Sequence, residues 1–157
     1  MTIKNKKIQS KILEHIHIDP GVRYRQLLRL TGLSNGSLSY TLKRLEKSRL
    51  VIVNRSSNTR VTSYYPENIK TSELHILANF RNHTDKRILQ FLIKQGQCTF
   101  NDIVKRTERA PSTISWHLNR LKNARLIISN RSHGKHSPYK IRNRSYVTRI
   151  ISKYNRT

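Results

Sequence analysis

The chain has 157 residues, of which 35% are hydrophobic, so it can form one ordinary domain or two small ones. It carries 32 Lys and Arg against 8 Asp and Glu, and the net charge of +24 favours nucleic acid as a partner before an anionic membrane or an acidic protein. The single cysteine excludes an intrachain disulfide, and no apolar run is long enough for a signal peptide or for the roughly 20 residues of a membrane span, so we expect a cytoplasmic protein without membrane attachment.

A repeat dominates the sequence. The segment "LSNGSLSYTLKRLEKSRLVIVNR" (residues 33–55) aligns without a gap with "RAPSTISWHLNRLKNARLIISNR" (residues 109–131) at an offset of 76. The identical pairs in this alignment include Ser39/Ser115, Leu42/Leu118, Arg44/Arg120, Leu45/Leu121, Arg49/Arg125, Leu50/Leu126, Asn54/Asn130 and Arg55/Arg131. Two copies are too few for a solenoid, so the repeat predicts a duplicated small domain.

The first unit, predicted over residues 1–68, begins with a helix that ends at the turn "DPG". Its apolar residues recur at helical spacing: Ile8, Ile12, Leu13 and Ile16. A short second helix, "YRQLLRLTG", closes at Gly32, and Ser34 is the predicted N-cap of a third helix from Asn35 to about Ser48. The segments "LVIVNR" and "RVTSYY" then predict a hairpin.

The second unit, predicted over residues 83–144, repeats this order. "KRILQFLIKQG", "FNDIVKRTE" and "STISWHLNRLKNA" are its predicted helices, and "LIISNR" and "SPYKIR" its hairpin strands. Residues 69–82 predict a helical linker with Leu74, Leu77, Ala78 and Phe80 on one face. Residues 145–157 predict an amphipathic C-terminal helix with an apolar stripe of Tyr146, Val147, Ile150, Ile151 and Tyr154.

The third helix of each unit has the pattern of a helix that enters the major groove. One side of each helix is apolar and the opposite side is polar. Short side chains occupy the first turn, and longer polar side chains follow on the polar side. The predicted DNA-binding residues of these helices are Ser34, Asn35, Ser37, Ser39, Tyr40, Lys43, Arg44, Ser112, Thr113, Ser115, Trp116, Asn119 and Arg120. The alternative for the two outward aromatics is that Tyr40 and Trp116 pack on the surface under the hairpin.

The polar ends of the two hairpins are basic and suit phosphates or a minor groove. The predicted contact residues there are Arg55, Arg60, Arg131, Lys135 and His136.

Both units resemble winged helix-turn-helix domains. The first, "DPGVRYRQLLRLTGLSNGSLSYTLKRLEKSRLV", looks like archaeal transcriptional regulators that carry two such domains in tandem, and "PSTISWHLNRLKNARLI" is similar to the third helix of ArsR-type and MarR-type repressors. The resemblance implies a mostly α-helical fold with small β-hairpin wings: two tandem winged helix-turn-helix domains, a helical linker and a C-terminal helix.

The chain departs from the pattern of these families at two places. The families have His-Leu in the third helix; His117 fits, whereas the first unit has Thr41, on the core side. They also have Gly before the first wing strand, where this chain has Arg49 and Arg125. If that turn needs a positive φ, arginine costs about 1 kcal/mol there. The paired arginines then reflect either a phosphate contact, a different turn, or drift.

Metal and enzyme sites are not predicted. The closest histidine pairs are His15 with His17 and His133 with His136, and a metal sensor needs a larger cluster of Cys, His or carboxylates. Cys98 is interpreted as a small core residue. Neither a carboxylate pair nor a glycine-rich phosphate loop is found, so we expect no catalysis and no cofactor.

Four functions compete. The first is a sequence-specific regulator of transcription that binds double-stranded DNA in the nucleoid, with the transcription machinery as a further partner. The others are an architectural DNA-binding protein, an RNA-associated or ribosome-associated winged-helix protein, and a protein-interaction module. The mixture of polar and aromatic residues on the outward faces favours the first. One chain is expected to contact two unlike half-sites about 10 base pairs apart; the rival assembly is a homodimer through the C-terminal helix.

Overall fold

The computed structural model describes residues 3–55, 61–129 and 137–154. These residues are mostly helical, with two small antiparallel sheets. The chain divides into two compact units between Leu74 and His75, and Tyr154 clusters with the first unit. This division lies inside the segment 69–82 that was expected to be a linker. The predicted fold class is confirmed.

The first unit contains three helices and a three-stranded sheet. Its elements are α1 (Ile3–Ile18), β1 (Val22–Arg23), α2 (Tyr24–Thr31), α3 (Asn35–Lys47), β2 (Val51–Arg55) and β3 (Thr62–Pro66). The predicted hairpin is confirmed, with Val51 opposite Pro66. The two-residue strand β1 was not predicted; it pairs with β3 and gives the order β1-β3-β2.

The second unit repeats this arrangement after a helix that spans the division. The elements are α4 (Thr71–Phe80), α5 (His83–Gln95), β4 (Gln97–Cys98), α6 (Phe100–Thr107), α7 (Pro111–Asn123), β5 (Ile127–Ser129), β6 (Tyr139–Ile141) and α8 (Arg144–Tyr154). The strand order, β4-β6-β5, matches that of the first sheet. Helices α6 and α7 begin and end at an offset of 76 from α2 and α3, so the sequence repeat is a structural repeat.

Local signals fix the ends of the repeated helices. The Ser34 side chain accepts the Ser37 N–H at 3.3 Å, which confirms the predicted N-cap of α3. Gly32 ends α2 with a φ of 66°, and its counterpart Glu108 ends α6 with a φ of 55°. Both helices therefore end in the same left-handed conformation. Gly32 adopts it without strain, and Glu108 adopts it with strain.

The third helix of each unit ends in a Schellman motif. At the end of α3, the Arg49 N–H donates to Glu46 O and the Leu50 N–H to Leu45 O, both at 3.0 Å. Arg125 and Leu126 make the corresponding bonds after α7. Arg49 has a φ of 57° and Arg125 a φ of 56°. The turn before the first wing strand therefore does need the positive φ for which related families use glycine.

Each unit has its own core, formed by the inward faces of its three helices and its sheet. The core of the first unit consists of Ile12, Ile16, Val22, Leu27, Leu38, Leu42, Leu45, Val51 and Tyr64. Buried residues of the second unit occupy the corresponding positions: Ile88, Leu92, Cys98, Ile103, Ile114, Leu118, Leu121 and Ile127. The core faces predicted for the two third helices are thereby confirmed.

A basic residue on the first helix of each unit holds the end of the second helix. Lys11 Nζ donates to the Thr31 carbonyl at 2.8 Å, and the guanidinium of its counterpart, Arg87, donates to the Arg106 carbonyl at 3.0 Å. Cations at helix C-termini also face the negative end of the helix dipole. These bonds fix α2 and α6, against which α3 and α7 pack.

Burial differs from what the apolar pattern indicates at two positions. Leu30, an apolar residue of the second helix, is 51% exposed, whereas Ile76 of α4, which was not assigned to the apolar face, is buried beside Leu77. In the C-terminal helix, Val147 and Ile150 are buried in the single chain. The stripe considered for a homodimer is therefore largely covered without a second copy.

Candidate nucleic-acid interface

The side of α3 that was predicted to face outward is exposed. Tyr40 is 61% exposed, Lys43 and Lys47 are exposed, and Arg44 is half-buried on the flank. The Arg44 guanidinium lies 5.7 Å from the centre of the Tyr40 ring, a cation–π geometry one turn along the helix. Tyr40 thus remains open to solvent and is supported from its own helix.

The first turn of α3 is anchored to α2. The Tyr24 hydroxyl donates to the Asn35 carbonyl at 3.0 Å and also to the Asn35 side-chain Oδ1. Asn35, predicted as a contact residue, therefore has its amide oxygen engaged within the unit. The exposed Ser34 and Gly36 beside it leave the helix end accessible. Such an end presents backbone N–H groups and the positive end of the helix dipole to an anion.

The corresponding face of α7 is also exposed. Trp116 is 59% exposed, and the remaining outward residues are exposed polar side chains: Ser112, Thr113, Ser115, Asn119 and Asn123. Pro111 occupies the first turn, where its missing N–H costs nothing. This face differs from that of α3 because Lys43 and Lys47 correspond to Asn119 and Asn123.

Arg120, predicted as a DNA contact, has partners within its own unit. Its guanidinium donates to the carboxylate of Asp85, which is fully buried at the start of α5, and to Asn79 Oδ1 at 3.3 Å. His117 Nδ1 donates to the other oxygen of Asp85 at 2.6 Å. This pairing is expected, because a buried carboxylate requires a counter-charge.

Opposing effects act on the Asp85 carboxyl. Burial raises its pKa above the ordinary value, and the hydrogen bond from His117 and the charge of Arg120 act against that rise. Both partners of Asp85 also contact the exposed ring of Trp116. The Arg120 guanidinium lies 5.5 Å from the centre of that ring, and the His117 ring meets it edge to face at 4.8 Å. One buried anion thus supports an exposed aromatic of the recognition helix.

The wing strand of the first unit is tied to the third helix. Arg55 makes two hydrogen bonds of 2.7 Å to the two carboxylate oxygens of Glu46, in the last turn of α3. The hydrogen bond from Arg55 lowers the pKa of the Glu46 carboxyl. Arg55, predicted as a wing contact to DNA, thus also fixes the wing strand on α3. The other predicted wing contacts lie outside the described residues: Arg60, Arg131, Lys135 and His136.

The described residues contain no group of three or more His, Cys, Asp or Glu that could hold a metal ion. His17 Nδ1 lies 2.8 Å from its own helix at Leu13 O, and the pair His133 and His136 falls outside the described residues. Cys98 is buried in β4, and burial raises the pKa of its thiol, which opposes formation of a reactive thiolate. Within residues 3–55, 61–129 and 137–154, no helix is long and apolar enough to cross a membrane.

Sequence reasoning missed the inward polar partners of the site. Asp85, Glu46 and Tyr24 were not assigned roles, because periodicity identifies the apolar face of a helix and not the polar residue that a neighbour will meet. The repeat did hold a signal for Asp85: at the offset of 76, Asp85 and His117 both change together, to Gln9 and Thr41.

Comparison with known proteins agrees with this geometry. Residues 6–60 match the MarR family, and residues 81–128 match the family described as winged helix-turn-helix DNA-binding. The chain is also 25% identical, over 146 residues, to an uncharacterized HTH-type transcriptional regulator of Methanocaldococcus jannaschii. That alignment covers 93% of this chain and 34% of the relative, so the chain spans about a third of the length of the relative it matches.

These matches bear out the two tandem winged helix-turn-helix units and the resemblance to archaeal regulators. The MarR match falls on the first unit, whereas the resemblance of the third helix had suggested it for the second. Both units thus match families of winged helix-turn-helix DNA-binding regulators, which are generally not enzymes.

Proposed function

We propose that the chain is a sequence-specific transcription regulator that binds double-stranded DNA in the nucleoid without catalysing a reaction. The exposed faces of α3 and α7 enter the major groove, and the basic wings contact phosphates or the minor groove. The observation that carries this proposal is the recurrence of one exposed helix face, with an outward aromatic and a short-residue first turn, on two winged scaffolds in a chain of charge +24.

Docking of the helix ends follows from their chemistry. The first turns of α3 and α7 carry small side chains at Ser34, Gly36 and Ser112, all exposed. A phosphate can therefore approach the N–H groups at the helix end, where the dipole is positive. These contacts set the position of the helix on the duplex without reading its sequence.

Base reading requires polar or apolar side chains beyond the first turn. Asn119 can bond an adenine edge in two places, and the exposed rings of Tyr40 and Trp116 suit a thymine methyl group. Purely electrostatic binding would need only Lys and Arg at these positions. The presence of an amide and two aromatic rings on the exposed faces therefore favours a regulator over an architectural protein.

The architectural function is the second candidate because of the net charge of +24. Charge supplies sequence-independent affinity for any duplex. The two candidates differ in selectivity. A regulator enriches a defined motif from a random duplex library and occupies discrete promoter sites, whereas an architectural protein enriches no motif and covers the genome diffusely.

The test is selection from a random duplex library, followed by titration of the enriched duplex and a scrambled duplex over a range of salt concentrations. We expect the enriched duplex to bind at least 10³-fold more tightly, and a plot of log affinity against log salt to fall with a slope of roughly −5 to −10. No enriched motif together with a slope near zero would argue against DNA, and a steep slope without any motif would leave only the architectural function.

The homodimer remains the rival assembly. Because Val147 and Ile150 are already buried, a dimer through α8 would have to use other residues of that helix. The transcription machinery is proposed as a further partner, since regulators of this fold act at promoters.

A further inference from the structure

The two recognition helices present the same shape with different charge. Their exposed aromatics, Tyr40 and Trp116, lie at equivalent positions and are exposed to 61% and 59%. The exposed cations of α3 one and two turns farther along, Lys43 and Lys47, are replaced in α7 by exposed amides, Asn119 and Asn123. The outward face of α3 is therefore cationic, and that of α7 is built from hydrogen-bonding amides.

Both recognition helices carry an arginine at the same flanking position, Arg44 in α3 and Arg120 in α7, but the two arginines have different partners. In the second unit Arg120 is paired with the buried carboxylate of Asp85, which His117 also contacts. In the first unit the position of Asp85 is Gln9, and Thr41, in place of His117, donates to the Ser37 carbonyl of its own helix at 2.8 Å. Among the described residues, Arg44 therefore has no carboxylate at the position equivalent to Asp85.

The Asp85 network also holds the aromatic ring of α7. Trp116 is flanked by the Arg120 guanidinium at 5.5 Å and by the His117 ring at 4.8 Å, and both flanking groups bond to Asp85. In α3, Arg44 alone among these counterparts contacts the ring: its guanidinium lies 5.7 Å from the centre of Tyr40 and donates to the Tyr40 hydroxyl at 3.5 Å, whereas Thr41, in place of His117, bonds to its own helix. A large exposed ring held from two sides retains less rotational freedom to lose on binding.

Resting on the proposed function, we propose that the helices divide the work: α7 supplies most of the sequence specificity, and α3 supplies most of the attraction to the phosphates. Trp116, Asn119 and Asn123 read bases. Asp85 is a positioning residue that neutralises Arg120 and thereby keeps the reading face from binding any phosphate within reach. Lys43, Lys47 and Arg44 supply sequence-independent attraction. Since cations bind every phosphate backbone alike and amides distinguish base edges, the two faces have different energetic signatures.

The first test exchanges the two faces in the full chain. Lys43→Asn with Lys47→Asn is expected to weaken the enriched and the scrambled duplex by the same factor, and to make the salt slope shallower by about 2. Asn119→Ala is expected to leave the salt slope unchanged and to lower the ratio of enriched to scrambled affinity by roughly tenfold. Asn119→Lys with Asn123→Lys should steepen the slope while that ratio falls.

The second test addresses Asp85 with residues that the protein already uses. Asp85→Gln with His117→Thr installs the pair found at positions 9 and 41 of the first unit. Releasing Arg120 is expected to steepen the salt slope by about 1 and to lower the affinity ratio several-fold. A merely structural role would reduce the active fraction and leave the slope as it is. The paired control, Gln9→Asp with Thr41→His, should make the slope shallower.

The outcomes separate the proposals. If the wild type enriches no motif, the proposed function fails before the division of labour is reached. If it enriches a motif that depends on Lys43 and Lys47, while Asn119→Ala keeps the full affinity ratio, the division is overturned and the regulator stands. If the Asp85 exchange unfolds the second unit, the Asn119 and lysine variants still decide the assignment of α7 and α3.

Discussion

Arg49 and Arg125 hold a backbone conformation that suits glycine better, and both side chains are exposed just past a recognition helix. A left-handed non-glycine residue costs about 1–2 kcal/mol, part of which glycine loses again through the freedom of the unfolded chain. We therefore expect Arg49→Gly and Arg125→Gly each to raise the free energy of unfolding by about 0.5–1 kcal/mol in urea titrations.

Glu108→Gly provides the matched control, because Glu108 has the same strained conformation at the end of α6. All three glycine variants should be stabilised, but only the arginine variants should bind DNA more weakly. Equal DNA affinity in all three would show that the paired arginines do not contact phosphates, and their recurrence would then reflect drift.

Asp85 is the residue on which the second unit depends most. Asp85→Ala removes the anion that Arg120 and His117 face and leaves both groups without it. Breaking a buried pair costs about 3–5 kcal/mol, and since Arg120 can turn partly toward solvent we expect about 2–4 kcal/mol in chemical denaturation. Asp85→Asn should cost less, because burial already disfavours the charged form and raises its pKa. Equal and small losses in both variants would contradict a structural role for the pair.

At the scale of the elements, the first wing is fixed to α3 by a pH-sensitive tie. The hydrogen bond from Arg55 lowers the pKa of Glu46 below its unfolded value, so the stabilisation is present above the unfolded pKa and is lost as the pH falls through the lowered one. Glu46→Gln should therefore melt at a slightly lower temperature than the wild type at pH 7, and the difference should shrink as the pH falls below the ordinary pKa of a glutamate.

The second unit contains its own control for the wing tie, since the counterpart of Glu46 is Lys122. Lys122→Gln should show no such acid-dependent convergence with the wild type in thermal melts. A pH-independent loss in Glu46→Gln would mean that the side chain acts by packing rather than by charge.

The elements differ in how far the sequence could predict them. Helices α3 and α7 were predictable because both carry an apolar stripe at helical spacing and both have a local start signal. That signal is the N-cap Ser34 for α3 and Pro111 in the first turn for α7. Strands β1 and β4 were not, because two residues cannot show a period and their pairing is decided by β3 and β6. The intramolecular partners of Arg120 and Arg55 were not predictable, because Asp85 and Glu46 lie on other elements.

For the whole molecule, duplication answers a limit of the single domain. One recognition helix contacts only a few base pairs, which cannot single out a promoter in a genome. Related folds gain length by dimerising on a palindrome. Two unlike helices in one chain remove the need for symmetry, and the covalent link raises the effective concentration of the second contact.

Hydroxyl-radical footprinting of the full chain on its enriched duplex, with binding stoichiometry measured on the same sample, tests this account most directly. We predict one chain per duplex and one continuous asymmetric footprint, in which Trp116→Ala weakens protection at one end and Lys43→Asn with Lys47→Asn weakens it at the other. A symmetric footprint from two chains, unchanged by one of these variants, would contradict the account and show that the duplication serves assembly.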